Sequence, residues 1–160
     1  MRHYYTLLFT AFACIIGCKK NNIPESQKVK NDTIKIITIG KGDLSGNGDE
    51  GILKSNIVIS NEDDWLKLLK KIDVSSDVSS TFSESKIDFR AYTIIAAFDN
   101  IKISGGYSIE ISDLSVFDAK KLIVKLKRAD NGPGRISSVI TQPFHIVKIP
   151  HWEKPIVFEE

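Results

Sequence analysis

Apolar and polar residues alternate along much of the second half of the chain, so that apolar side chains recur at every second position. The stretch 107–112 sets apolar side chains between polar ones, and 121–127 repeats the pattern with lysines on the polar side. A period of two is typical of a strand with one buried face, whereas an amphipathic helix needs a period near 3.6. The 160-residue chain is therefore predicted to be mainly β.

About seven short strands are predicted. The stretch 91–98 is almost wholly apolar, as expected for a central strand that is covered on both faces. Helices and strands do not alternate, so we expect antiparallel strands in a sandwich-like or partly open barrel arrangement, with one helix packed on it. The other strands are predicted near 34–39, 52–59, 107–112, 121–127, 144–149 and 156–158.

One helix is predicted directly after the second strand. Ser60 and Asn61 are both good N-cap residues, acidic residues fill the first turn, and lysines fill the last. Four apolar residues then recur at helical spacing and form one stripe that can dock on a sheet. They are Trp65, Leu68, Leu69 and Ile72.

The N-terminus has the pattern of an export signal. Arg2 and His3 precede an apolar run, Leu7 to Ile16, which is too short to cross a hydrocarbon core about 30 Å thick as a helix. The run ends in Ile-Ile-Gly17-Cys18, which resembles the lipobox cleaved by lipoprotein signal peptidase, apart from Ile in place of the usual Leu. An uncleaved anchor and an ordinary secretory signal are the alternatives.

The resemblance implies that residues 1–17 form a signal peptide, cleaved between Gly17 and Cys18, and that the Cys18 thiol carries the lipid. Residues 18–32 are polar and are predicted to be a flexible tether. Residues 33–160 are predicted to be one β-domain. Lys19 follows the cysteine, where an Asp would favour the inner membrane, so the outer membrane is the expected location.

Composition limits the chemistry of the exported chain. Without Arg2 it carries 21 basic and 20 acidic residues, which gives no charge pattern for nucleic acid. Cys18 is its one cysteine, and His145 and His151 are its only histidines. We expect both histidines to lie at the surface, His145 pointing outward from a strand.

Catalytic and metal sites are not predicted. The histidine spacing matches no zinc site, and no serine lies in a Gly-x-Ser-x-Gly turn. The loop 43–51 alternates oxygen ligands like a calcium loop, but Lys54 stands where a bidentate Glu is needed, so a simple turn is favoured. We expect that the protein is not an enzyme and that it binds neither a cofactor nor a metal ion.

Two segments differ from generic β-sandwich sequence, namely 104–111 with its Gly-Gly-Tyr start and 141–150 with its Gln-Pro-Phe start. In this order, with the Gly/Pro-rich loop 131–134 between them, they resemble the C-terminal domain of the protease-complex subunit PrcB family. The resemblance covers roughly 34–158 and is most specific over 105–150. The segments 74–85 and 100–103 depart from it.

The resemblance implies an exported, often lipid-anchored protein that binds or stabilises a partner, such as an exported protease. We expect contacts through loops at one end of the sheet, with an exposed aromatic pair as the anchor. The candidate residues are Gly105, Gly106, Tyr107, Gly132, Pro133, Gly134, Gln142, Pro143 and Phe144.

Two other binding functions stay open. The order of the three loops also resembles chagasin-type inhibitors of cysteine proteases, although Ile103-Ser104-Gly105 and Gln142 depart from the inhibitor motifs. A structural or ligand-binding lipoprotein without any protease partner is the other alternative.

Overall fold

The computed structural model describes residues 34–45, 47–130 and 138–160. Within them lie seven strands, one α-helix and one short 3-10 helix, Ser79–Thr81. The principal elements in chain order are β1 (Ile37–Leu44), β2 (Ser55–Ile59), α1 (Glu62–Ile72), β3 (Tyr92–Phe98), β4 (Tyr107–Phe117), β5 (Lys121–Asp130), β6 (Gln142–Pro150) and β7 (Ile156–Glu159).

The strands form two sheets, which are not closed into a barrel. One sheet has the order β1-β6-β3-β2 and the other β4-β5-β7. The predicted mainly β class with one helix is confirmed, in its sandwich form. All pairings are antiparallel except that between β5 and β7, which is parallel and differs from the expectation.

Two hydrophobic cores lie on opposite faces of the four-stranded sheet. The first is closed by α1 and by the segment that follows it, with Trp65, Phe98 and Phe144 as its aromatic members. The second lies between the sheets and is aliphatic, with Val147 and Ile149 facing β4 and β5. The central strands β3 and β6 contribute to both cores, as predicted for the run that contains β3.

The helix forms where the sequence predicts it. Asn61 is the N-cap, and its side chain accepts a hydrogen bond from the Asp64 N–H at 2.9 Å. Trp65, Leu68 and Ile72 are buried against the sheet, so the predicted apolar stripe is confirmed. The Trp65 indole N–H donates to the Ser85 carbonyl at 2.7 Å, which fastens the following segment to the helix.

β1 differs from its predicted bounds. It begins at Ile37 and runs to Leu44, so Asp43 belongs to the strand, where it pairs with Pro143. The turn begins beyond it, and the Gly51 N–H donates to the Gly48 carbonyl. Alternation in the sequence did not show this extension because Lys41, Gly42 and Asp43 are neither apolar nor good strand formers.

The sandwich has two distinct ends. At one, which we call the loop end, β1 finishes beside the start of β6, and β3 finishes beside the start of β2. β4 starts and β5 finishes there as well, since Arg128 of β5 contacts Asp99 at 3.1 Å. At the opposite end, which we call the base, the described chain enters β1 at Ile37.

Candidate functional site

The fold brings the two predicted segments together at the loop end. Lys102 and Thr141 form an isolated antiparallel bridge, in which each N–H donates to the other residue's carbonyl at 2.7 and 3.0 Å. The Thr141 hydroxyl also donates to the Ser104 carbonyl at 3.2 Å. The loop that leads to Tyr107 therefore lies beside the segment that leads to Phe144. Gly132, Pro133 and Gly134, with Gly17 and Cys18, lie outside the described residues.

Gln142 joins three segments of the loop end from within. Its amide N–H groups donate to the Ile52 carbonyl at 2.8 Å and to the Asp99 carbonyl at 2.9 Å. The side chain is buried, and its Oε1 accepts no hydrogen bond from the described residues. Because two loop carbonyls depend on this amide, Gln142 has a structural role that its sequence position did not reveal.

Phe144 does not supply the expected exposed aromatic. It is only 3% exposed, and its ring lies 6.2 Å from that of Phe98 and 6.0 Å from that of Phe82. Pro143 is also buried, and its carbonyl accepts the Asp99 N–H at 2.9 Å. The predicted exposed aromatic pair is wrong for Phe144, because β6 is a central strand covered on both faces.

The other half of the predicted site stays near the surface. Gly105, Gly106 and Tyr107 are half-buried, and Gly106 has a φ of +96°, a backbone conformation that favours glycine. The Lys102 ammonium lies 4.9 Å from the centre of the Tyr107 ring. Tyr107 is therefore held by a cation–π contact while part of its ring remains accessible.

A network of charges underlies these loops. The buried Asp99 carboxylate contacts Arg128 Nε and Lys102 Nζ, both at 3.1 Å. Arg128 also contacts Glu160 at 3.0 Å, and Glu160 reaches Lys54 at 3.5 Å. Sequence reasoning missed this network, because its members come from separate strands and loops and share no motif.

The Asp99 carboxylate remains charged in this network. Burial by itself raises the pKa of Asp99, but hydrogen bonds from the Asn100 N–H, Lys102 and Arg128 outweigh that effect and leave the pKa below its usual value. A buried carboxylate shared by two cations has little freedom to move. The network therefore fixes the loops that carry Ile101 and Ile103.

Four aliphatic side chains on the loops next to the network are exposed. Leu53 is 82% exposed and Ile103 is 87% exposed, with Ile101 and Val139 about half exposed. Leu53 and Ile101 also line a cavity of about 350 Å³ into which Gln142 faces. Apolar side chains grouped on loops at one end of a domain are typical of a protein-binding surface. The signal in the sequence was a pair of isoleucines inside the polar loop 99–104.

His145 lies away from the loop end, and its predicted position at the surface is wrong. It was expected at the surface but is 3% exposed and lies between the two sheets. The Ile111 N–H donates to its Nδ1 at 2.9 Å, so Nε2 carries the proton and donates to the Thr38 hydroxyl at 3.1 Å. Both partners adjoin irregularities in strand register, between Thr38 and Gly40 in β1 and between Ile111 and Asp113 in β4.

Burial, and then the positive charge of Lys41, lower the pKa of His145 to about 4, against an opposing contribution from Glu110. The ring is therefore neutral at pH 7 and joins the two sheets by hydrogen bonds. Its Nδ1 already accepts a hydrogen bond from the Ile111 N–H, so the lone pair of this nitrogen is used within the fold.

Within the described residues, no helix is long and apolar enough to cross a membrane, and no group of three His, Cys, Asp or Glu side chains is placed to hold a metal ion. Comparison of the chain with protein-family models, with curated proteins and with solved structures found no match.

Proposed function

We propose that this protein is a non-enzymatic lipoprotein of the cell envelope, anchored through Cys18, whose loop end binds and stabilises a partner protein. An exported protease is the partner class that we favour, and the outer membrane is the proposed location. The observation that carries the proposal is the group of exposed aliphatic side chains, led by Leu53 and Ile103, on loops held by a buried ion network.

The direction of the chain supports this assignment. β1 begins at the base and ends at the loop end, so a lipid tether that precedes β1 joins the domain at the base. The loop end is then the end of the domain farthest from the point where the tether joins it. Apolar side chains in that position can reach another envelope protein.

The chagasin-like inhibitor has less support. That class presents a Pro-aromatic pair at the loop tips, whereas Pro143 and Phe144 are buried in this domain. We therefore favour binding and stabilisation over inhibition.

The test is affinity capture of the tagged, lipidated protein from its own envelope, with stoichiometric partners identified. The variant carrying Leu53→Asp and Ile103→Asp should lose its partner, because two charges would replace the most exposed apolar side chains of the loop end. Phe117→Asp is the matched control, since Phe117 is 53% exposed at the base.

All three proteins should unfold at similar urea concentrations, because exposed substitutions change stability by less than about 0.5 kcal/mol. Equal capture of the partner by the double variant and the control would contradict the assignment of the loop end. Cys18→Ser protein should remain uncleaved and carry no lipid. Cleavage or lipidation of this variant would contradict the proposed anchor at Cys18.

A further inference from the structure

Open sheet edges in the described residues differ in how well they are protected. The four edge strands are β1, β2, β4 and β7. β1 and β4 each contain a register shift, and they carry the exposed charges Lys41 and Glu110. β7 has only four residues and follows Pro155. Such features prevent an edge from pairing with another chain.

β2 is one residue longer than β7 and has none of the other protecting features. Its sequence, Ser-Asn-Ile-Val-Ile, contains no charge, proline or glycine. It pairs with β3 in an unbroken register from Ser55 to Ile59. Alternate N–H and C=O groups of a regular edge strand point away from the sheet and can pair with another strand. The backbone of β2 is thus a template for one further strand.

A groove runs beside this edge. Its volume is about 400 Å³, and it lies between β2 and the face of α1 that carries Lys67, Leu68 and Lys71. Ile57 and Ile59 form its apolar wall on the strand side. A sheet edge flanked by a helix accepts an extended peptide, whose backbone pairs with the strand while alternate side chains enter the groove.

The charges along the groove favour an acidic occupant. Lys67 is paired with Asp64 at 2.9 Å, so these two charges offset each other. Lys71 forms no ion pair with the described residues and remains the uncompensated charge of the groove. A carboxylate in the bound segment would neutralise it.

A second copy of this chain fits the groove less well. Antiparallel pairing of β2 with itself places the loop end of one copy beside the base of the other. The added strand would then be Ser-Asn-Ile-Val-Ile, which contains no carboxylate to neutralise Lys71.

We propose that the β2–α1 groove binds an extended segment of the partner protein as an additional strand beside β2, with alternating aliphatic side chains and a carboxylate next to Lys71. This inference rests on the proposed function, because it assumes that the domain has a protein partner. The groove shares Ile52 and Leu53 with the cavity at the loop end, so one partner can contact both.

The experiment is selection from a displayed library of random decapeptides against the full lipidated protein in detergent. Selected peptides should alternate aliphatic residues and contain Asp or Glu, and they should slow hydrogen exchange of the β2 amides. Lys71→Glu should weaken the binding of an acidic peptide about five-fold. Repeated selection on this variant should favour Lys or Arg in place of Asp or Glu.

Lys70→Glu is the matched control, because it changes the same charge in the same helical turn outside the groove. It should leave affinity within about two-fold. The proposal is overturned if no peptide is enriched, if protection falls on strands other than β2, if both variants weaken binding equally, or if the full protein dimerises through β2. Partner capture that still depends on Leu53 and Ile103 would then keep the proposed function intact.

Discussion

β6 and β2 belong to the same sheet, and both are rich in apolar residues, yet they differ in how far they are buried. β6 is buried from Gln142 to Val147 because it has a neighbouring strand on each side and a layer on each face. β2 has one neighbour, and Ile59 is its one fully buried residue. Position in the sheet, rather than apolar sequence, therefore decides which strand is buried in the core and which keeps an open edge.

The substitution with the largest expected effect on stability tests whether Phe144 belongs to the core. Phe144→Ala should lower the free energy of unfolding by about 3 to 4 kcal/mol, since it leaves a cavity between Phe98 and Phe82. Urea unfolding followed by tryptophan fluorescence measures it. The control, Phe117→Ala, removes a half-exposed ring that contacts Lys121 and should cost about 1 kcal/mol or less. Similar losses in the free energy of unfolding of the two variants would contradict the assignment of Phe144 to the core.

The second-largest expected effect is a loss of stability at low pH, which depends on His145. Its folded-state pKa of about 4 lies below its unfolded value near 6.5. The unfolded chain therefore takes up the proton first, and stability falls as pH decreases from about 6.5 towards 4. Between pH 7.5 and 5.0 the expected loss is about 2 kcal/mol.

Urea unfolding at the two pH values measures this loss, and His145→Gln should remove most of it. His151→Gln, which leaves His145 and its two hydrogen bonds in place, is the matched control and should keep this loss. A wild-type protein with equal stability at both pH values would show that the ring does not join the sheets as a neutral group.

A smaller effect concerns the close approach of β1 to the segment after α1. A Cβ added at Gly40 would lie 2.5 Å from Cε1 of Phe82, whose ring is confined by Trp65 and Phe144. Gly40→Ala should therefore destabilise the protein by about 1 to 2 kcal/mol. Gly42→Ala, where the nearest atom is 3.8 Å away, is the matched control and should be nearly neutral. Thermal unfolding compares the two.

Local patterns in the sequence predicted a large part of the fold. Period-two alternation predicted the strands, the capping residues predicted α1, and the continuous apolar run predicted β3 as a central strand. Strand neighbours were not predictable, because pairing depends on contacts between distant segments. The parallel pairing of β7 with β5 and the burial of His145 both follow from the arrangement of the sheets.

The candidate site was predicted only in part. The segments at Tyr107 and Gln142 do meet, but the second is core, and the exposed side chains come from Leu53, Ile101 and Ile103 instead. These residues belong to no motif. Their loops adjoin the Asp99 network, whose members approach one another only in the folded chain.

We propose that the loop end is the surface that meets the partner, and photo-crosslinking in the intact envelope tests this proposal directly. A photoreactive amino acid would replace Leu53, Ile103 or, as the control at the base, Phe117. We expect one discrete crosslinked partner from positions 53 and 103 and none from position 117. Crosslinking from position 117 alone, or equally from all three positions, would contradict it.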